Sequence, residues 1–220
     1  MSKYIAVTGA VGAGATTLVN FIAEKWKAET LLEGQIEALN PFFQGAQHDP
    51  HRWSFASQAH FLAASARRHD DLRQILACTE KPIVLEDRTP FEHTGVYANS
   101  AHRLGHILQD EFRVLTELSR VIERSYLVPA LLVYREMTDD QLIERVAVRG
   151  RQGESTDFAR LKSVHDAFKD FISNWQRSPV VRIGHDWDLF STEGQQRTID
   201  VLSAHLGKPT LRDTFEHPLK

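Results

Sequence analysis

Residues 7 to 18 read VTGAVGAGATTL. Gly9, Gly14 and Thr16 stand at the spacing of a phosphate-binding loop, G-x-x-x-x-G-K-[ST], with Gly12 and Ala13 inside it and Thr17 after it. Glycines at these positions let backbone N–H groups turn inward onto phosphate oxygens. The positive end of a following helix then adds to the attraction. The Thr16 hydroxyl is of the type that holds magnesium. Where such loops carry a lysine, the chain has Ala15. The pattern predicts phosphate binding with one positive charge missing.

Two further stretches could do related chemistry. LEDRTPF crowds Glu86, Asp87 and Arg88 together. Such a trio can hold magnesium and orient a hydroxyl, or simply be a solvated charge run. In ERVAVRGRQGE, Arg145 and Arg149 are four apart and share a helix face, and Arg151 lies just past Gly150. Three arginines at a helix end suit a lid, about residues 145–156, that closes on transferring phosphates. The other reading is a solvated basic helix paired with Glu144 and Glu154.

The elements around these stretches follow from periodicity. Short apolar runs predict strands at 4–8, 30–33, 83–85, 130–134 and 180–183. Helical spacing predicts helices over 16–27, 50–77, 101–124, 138–149, 157–175 and from about 193. Asp49 followed by Pro50 caps the second of these, and Thr138 with Gln141 forms a capping box on the fourth. Alternating strands and helices imply a five-stranded parallel sheet flanked by helices, an α/β fold. Ligands in such sheets bind beyond the carboxyl ends of the strands. GAVGAGATT, LLEGQIE, LEDRTPFEH and IGHDWDLF all fall there.

Taken together, these stretches resemble the deoxynucleoside kinases over nearly the whole chain. DPHRWSFASQAHFL is similar to the family's substrate helix, EDRT to its [DE]-R-[ST] after the third strand, and RVAVRGRQGE to its R-x-x-x-R-G-R-x-x-E lid. LKSVHDAFKDF is similar to the helix after the lid, and GHDWDLF to the loop that packs on adenine. The resemblance implies one P-loop kinase domain over 1–220 with an arginine-rich lid. It implies ATP and Mg2+, and phosphorylation of a nucleoside 5′-hydroxyl. Glu33 would be the general base, with Glu37 as the nearby substitute. Gln58 would read the base edge, and Arg88 would position the carboxylate and the 5′-oxygen. Asp87 and Thr16 would hold magnesium. Arg145, Arg149 and Arg151 would be the lid arginines, and Glu154 the lid acid near the sugar. Asp186 and Trp187 would line the adenine site, and Tyr97 the base pocket.

Four positions depart from the family pattern. Ala15 replaces the loop lysine. Gln47 stands about where a tyrosine touches the sugar 3′-hydroxyl. Ser65 and His93 stand near the usual base-selecting arginine and its aspartate partner. The last two changing together points to altered base choice, favouring a purine, because a lone buried member of a charge pair is costly. Ala15 and Gln47 leave open a catalytically impaired descendant that binds nucleotide or a protein partner.

Composition fits these expectations. The 220 residues suffice for one core, and a net charge of -3 offers no general attraction to nucleic-acid polymers or membranes. The single cysteine, Cys78, excludes an internal disulfide and reads as a packing residue. MSKYIAVTGA is not a signal peptide, so a cytoplasmic enzyme, expected as a homodimer, is the reading. The eleven histidines include no H-E-x-x-H and are not read as a metal site.

Overall fold

The computed structural model describes residues 2–33, 38–149 and 157–206, and of Arg149 the backbone only. Five parallel strands form one sheet: β1 (Lys3–Thr8), β2 (Glu29–Leu31), β3 (Ile83–Asp87), β4 (Leu131–Arg135) and β5 (Val180–Ile183). Their order in space is β2-β3-β1-β4-β5. The helices are α1 (Ala15–Trp26), α2 (Phe43–His48), α3 (Pro50–Cys78), α4 (Asn99–Arg103), α5 (Gln109–Glu123), α6 (Asp139–Arg149), α7 (Phe158–Ser173) and α8 (Thr192–Leu206). A π-helical turn, His93–Ala98, precedes α4. Among the described residues no helix is long and apolar enough to cross a membrane.

Strand alternation sorts the core into two layers. Ile5 and Val7 of β1 pack with Leu18 and Ile22 of α1 and Leu202 of α8. Tyr4 and Ala6 point the other way, to Leu72 of α3 and Phe168 of α7. The central strands β1, β3 and β4 are buried on both faces, which explains their apolar runs, whereas the edge strands β2 and β5 are only partly covered. A smaller cluster of Leu62, Ala98, Ile107 and Leu115 joins α3 to α5.

The expected caps form. Asp49 accepts a hydrogen bond from Arg52 N at 3.3 Å, with Pro50 opening α3. Thr138 and Gln141 exchange bonds of 3.2 and 3.3 Å. Four expectations need correction. The strand expected over 30–33 ends at Leu31, so Glu33 lies beyond it. The third strand continues through Glu86 and Asp87, both buried; the buried Arg68 faces Glu86, and Thr16 meets one oxygen of Asp87. The helix expected over 101–124 is broken. Gly105, at φ 74, ends α4, and Gly105 N and His106 N reach back to His102 O and Ala101 O, both at 2.9 Å. That pair of hydrogen bonds is a Schellman stop, which only a residue tolerant of positive φ permits. Finally Cys78, read as a packing residue, is exposed at the end of α3.

Candidate active site

The sheet register brings the unusual residues to one level. Val7 pairs with Asp87, Thr8 with Tyr134, Leu31 with Glu86 and Arg135 with Ile183. The residues that follow (Gly9, Glu33, Arg88, Gly184) therefore leave the sheet along one edge, around the reversal of strand order beside β1.

The glycine loop needs its glycines. Gly12 and Gly14 have φ of 87 and 86, in the left-handed region. A β-carbon on Gly9 would come within 2.9 Å of Arg135 O. Gly14 caps α1 without a side-chain hydrogen bond, and the helix has no acidic residue in its first turn. The N-terminal N–H groups and the dipole of α1 thus face an anion-ready space. Ala15 is only 7 % exposed and packs in the apolar layer with Val7 and Leu18.

Glu33 and Arg88 form an ion pair through Arg88 Nε and Glu33 Oε2. Arg88 has φ 68, which costs a non-glycine residue on the order of 1 kcal/mol. Its N–H donates to Val7 O at 2.8 Å, and its Nη1 donates to Gly9 O at 3.2 Å, to Glu92 Oε1 at 2.9 Å and to Tyr97 Oη. Glu92 in turn accepts from Thr8 Oγ1 and, at 3.3 Å, from Thr89 N. Burial opposes the charge on Arg88, but Glu33, Tyr97 and Glu92 outweigh it and raise its pKa further. Burial lifts Glu33 from the usual carboxylate range to about 7; Arg88 opposes that rise and Glu92 adds to it. A carboxyl poised near neutrality is suited to taking a proton from a hydroxyl.

Thr16 Oγ1 donates to Asp87 Oδ2 at 2.7 Å, while Asp87 Oδ1 is buried without a protein partner. Magnesium takes few protein ligands and keeps waters and phosphates for the rest. A hydroxyl beside a carboxylate with a spare oxygen fits that ion.

Two cavities draw on the loop, one through Val11 and the other through Gly12, Ala13 and Gly14. One is lined by Val11, Glu33 and Arg88 and by Gln47, Gln58, Phe61, His93 and Tyr97. Gln58 Oε1 is buried and unpartnered. His93 stacks on Phe61, with centroids 5.5 Å apart and an interplanar angle of 10°. Burial, with Arg68 and Arg88 nearby, lowers the His93 pKa to about 3, so the ring is neutral. Ser65 is buried and its Oγ has no partner. Trp53 of α3 stacks on Phe42, with ring centroids 5.9 Å apart.

The second cavity is lined by Gly12, Ala13, Gly14 and Thr17 on one side and by Asp186, Trp187 and Phe190 on the other. Arg145 joins them, and a β-carbon on Gly14 would lie 3.7 Å from its Nη1. Arg135 also lines this cavity and was not singled out in the sequence. It is 2 % exposed and donates to Gly184 O and, at 3.1 Å, to Trp187 O. Burial and the charge of Arg145 lower its pKa to about 10. Both guanidiniums line the cavity beside the loop that carries Ala15. A lone arginine ending an apolar strand carries no motif, so only the fold reveals it. Glu92 and Arg68 were missed for the same reason.

Arg151, Glu154, Glu37 and the Arg149 side chain lie outside the described residues. Among the described residues no group of three His, Cys, Asp or Glu side chains could hold a metal by itself.

A family model described as deoxynucleoside kinase matches residues 5–204. The deoxyadenosine/deoxycytidine kinase of Bacillus subtilis (strain 168) is 28% identical over 202 residues, 90% of this chain and 90% of its own. The deoxyadenosine kinase of Dictyostelium discoideum is 25% identical over 189 residues, 85% of this chain and 73% of its own. The solved structure of deoxyadenosine kinase from M. mycoides with bound dCTP has a TM-score of 0.77 at 20% identity, covering 91% of this chain and 99% of that one, and speaks for the fold. With a match that runs from the first strand to the last helix, the chain belongs to the deoxynucleoside kinase family.

Proposed function

We propose that this nucleoside kinase transfers the γ-phosphoryl group of ATP to the 5′-hydroxyl of a deoxynucleoside, with a purine preferred. The observation that carries the reading is Glu33 paired to Arg88 in the wall of one cavity, with the glycine loop lining the other. In the proposed step Glu33 accepts the 5′-hydroxyl proton as the oxygen forms its bond to the γ-phosphorus. The bond from that phosphorus to the bridging oxygen breaks, and ADP leaves. Arg88 holds the carboxylate and the attacking oxygen in line. The N–H groups of the loop and the lid arginines Arg145, Arg149 and Arg151 meet the charge on the transferring group. Magnesium, held by Asp87 and Thr16, would neutralise charge on the phosphates when bound.

The base preference rests on Gln58, Ser65 and His93. A neutral His93 with a free Ser65 hydroxyl replaces a charged pair, and the buried Gln58 Oε1 calls for a donor such as a base amino group. Two similar kinases carry deoxyadenosine in their names. Glu154 and Gln47 are proposed to face the sugar, and Asp186 and Trp187 the adenine of ATP.

Ala15 favours a second reading, an impaired kinase that binds nucleotide. Against it stand the intact candidates for base, metal ligand and positioning arginine. Turnover of deoxyadenosine, deoxyguanosine, deoxycytidine and thymidine with ATP–magnesium decides between them. Phosphorylation of at least one, fastest with a purine, is expected; inertness on all four, with ATP still bound, establishes the second reading. A homodimer is also proposed, because α5 exposes Val114, Leu118 and Val121 along one face.

A further inference from the structure

We propose that Arg68, far from either cavity's chemistry in the sequence, is a positioning residue that clamps the carboxyl ends of β2 and β3 and so holds Glu33 opposite Arg88. The proposal rests on the reading of Glu33 as the base.

β2 is a three-residue strand at the edge of the sheet. Among the described residues it pairs with β3 alone, through Glu29–Val84, Thr30–Leu85 and Leu31–Glu86. Leu32, next along, is 43% exposed, and Glu33 follows immediately. So short an edge strand is a weak mount for a group that must hold its place within a fraction of an ångström.

Arg68 comes from the middle of α3 and is 8% exposed. Its Nη2 donates to Leu31 O at 2.6 Å and to Asp87 O at 2.8 Å. One nitrogen thus bridges the last residue of β2 and the last residue of β3. Its Nη1 faces Glu86 Oε1 at 3.4 Å, and the other oxygen of Glu86 accepts from Tyr4 Oη. The planar fork allows all three contacts at once; an ammonium could not make them in this geometry. Asp87 leads directly into Arg88, so the clamp fixes both partners of the Glu33–Arg88 pair.

The guanidinium also contributes charge. Among the described residues Glu33 is faced by Arg88, Glu92, Arg68 and Asp87. Arg68 lowers the Glu33 pKa against the burial that raises it. Its loss should therefore make Glu33 harder to ionise, an effect that a purely structural staple would not produce.

The test is the pH dependence of kcat/KM and the values of kcat and nucleoside KM for Arg68→Met, Arg68→Lys and Arg68→Met/Glu86→Gln, beside Glu33→Gln. The double variant leaves no lone buried carboxylate, so it remains informative if the single methionine variant fails to fold. Circular dichroism selects the folded variants. Methionine variants should lose ~10- to 10²-fold in kcat, with smaller change in KM, and their acid limb should move to higher pH. The lysine variant should lose kcat with its limb near the parent's, since charge is kept and the fork is lost. Parent kcat, or an unmoved limb in a folded methionine variant, overturns the proposal. If Glu33→Gln keeps full turnover, the base reading falls and takes this inference with it. If Glu33→Gln is crippled while the folded Arg68 variants match the parent, only the inference falls.

Discussion

Glu33 and Arg88 are joined beyond the ends of two neighbouring strands, and both side chains line the same cavity. Because burial lifts Glu33 to about 7, its ionisation should be visible in the kinetics. The carboxylate is the active form, so kcat/KM should fall as pH drops through about 7 and level off above it. His93, neutral down to about 3, adds no limb in that range. Glu33→Gln keeps the shape and removes proton acceptance, so kcat should fall ~10²-fold or more with nucleoside binding nearly kept. Full activity in the glutamine variant, or crippling by Glu37→Gln alone, would place the base elsewhere.

Asp87 has one oxygen on Thr16 and one without a protein partner. Asp87→Asn keeps the contact to Thr16 and removes the negative charge. The magnesium concentration for half-maximal rate should rise ~10-fold or more, and kcat at saturating metal should drop. A metal titration that superimposes on the parent's would remove Asp87 from this role.

Gln58 presents a buried acceptor to the base cavity. Gln58→Ala removes it, and the loss of a hydrogen bond there is worth ~1–3 kcal/mol. Nucleoside KM should therefore rise ~10-fold or more, with less change in kcat at saturation. KM values unchanged for all four deoxynucleosides would show that the amide does not touch the base.

The centre of the sheet was legible because a strand buried on both faces has to be apolar and end in punctuation, as YIAVTGA does. The loop was legible because positive φ selects glycine at Gly12 and Gly14. The clamp and the cavity wall were not. Arg68 lies in ARRHDD, where a buried arginine and its exposed neighbour Arg67 look alike. Arg135 makes its bonds to carbonyls around 50 residues away, a pairing that leaves no mark in side-chain type. The break after α4 hung on Gly105 alone, a single glycine inside an otherwise helical pattern. Short-range patterns report backbone demands; long-range pairing of one charged side chain with carbonyls does not.

α5 leaves Val114, Leu118 and Val121 exposed at i, i+4 and i+7, one stripe of a helix. If two copies pair there, Leu118→Glu should convert a dimer to a monomer in light scattering while circular dichroism stays unchanged. A parent that is already monomeric at assay concentration would end the homodimer proposal.

Ala15 is the position where one substitution should increase activity. The loop has its turns, Thr16 stands beside Asp87, and Arg135 and Arg145 already line the same cavity. A lysine at this first helical residue would extend its ammonium over the loop toward the β- and γ-phosphates. Its stem would lie against the apolar layer that now holds the Ala15 methyl. A group of that kind supplies up to a few kcal/mol to the transition state, so Ala15→Lys should raise kcat by as much as ~10²-fold. Because Arg145 covers part of the same charge, Arg145→Ala should cost more with Ala15 in place than in the Ala15→Lys background. Steady-state turnover of the four variants of that cycle measures both effects. Equal losses in the two backgrounds would show that Arg145 and the loop position act independently. An Ala15→Lys protein as slow as the parent would show that the loop charge does not limit transfer in this kinase.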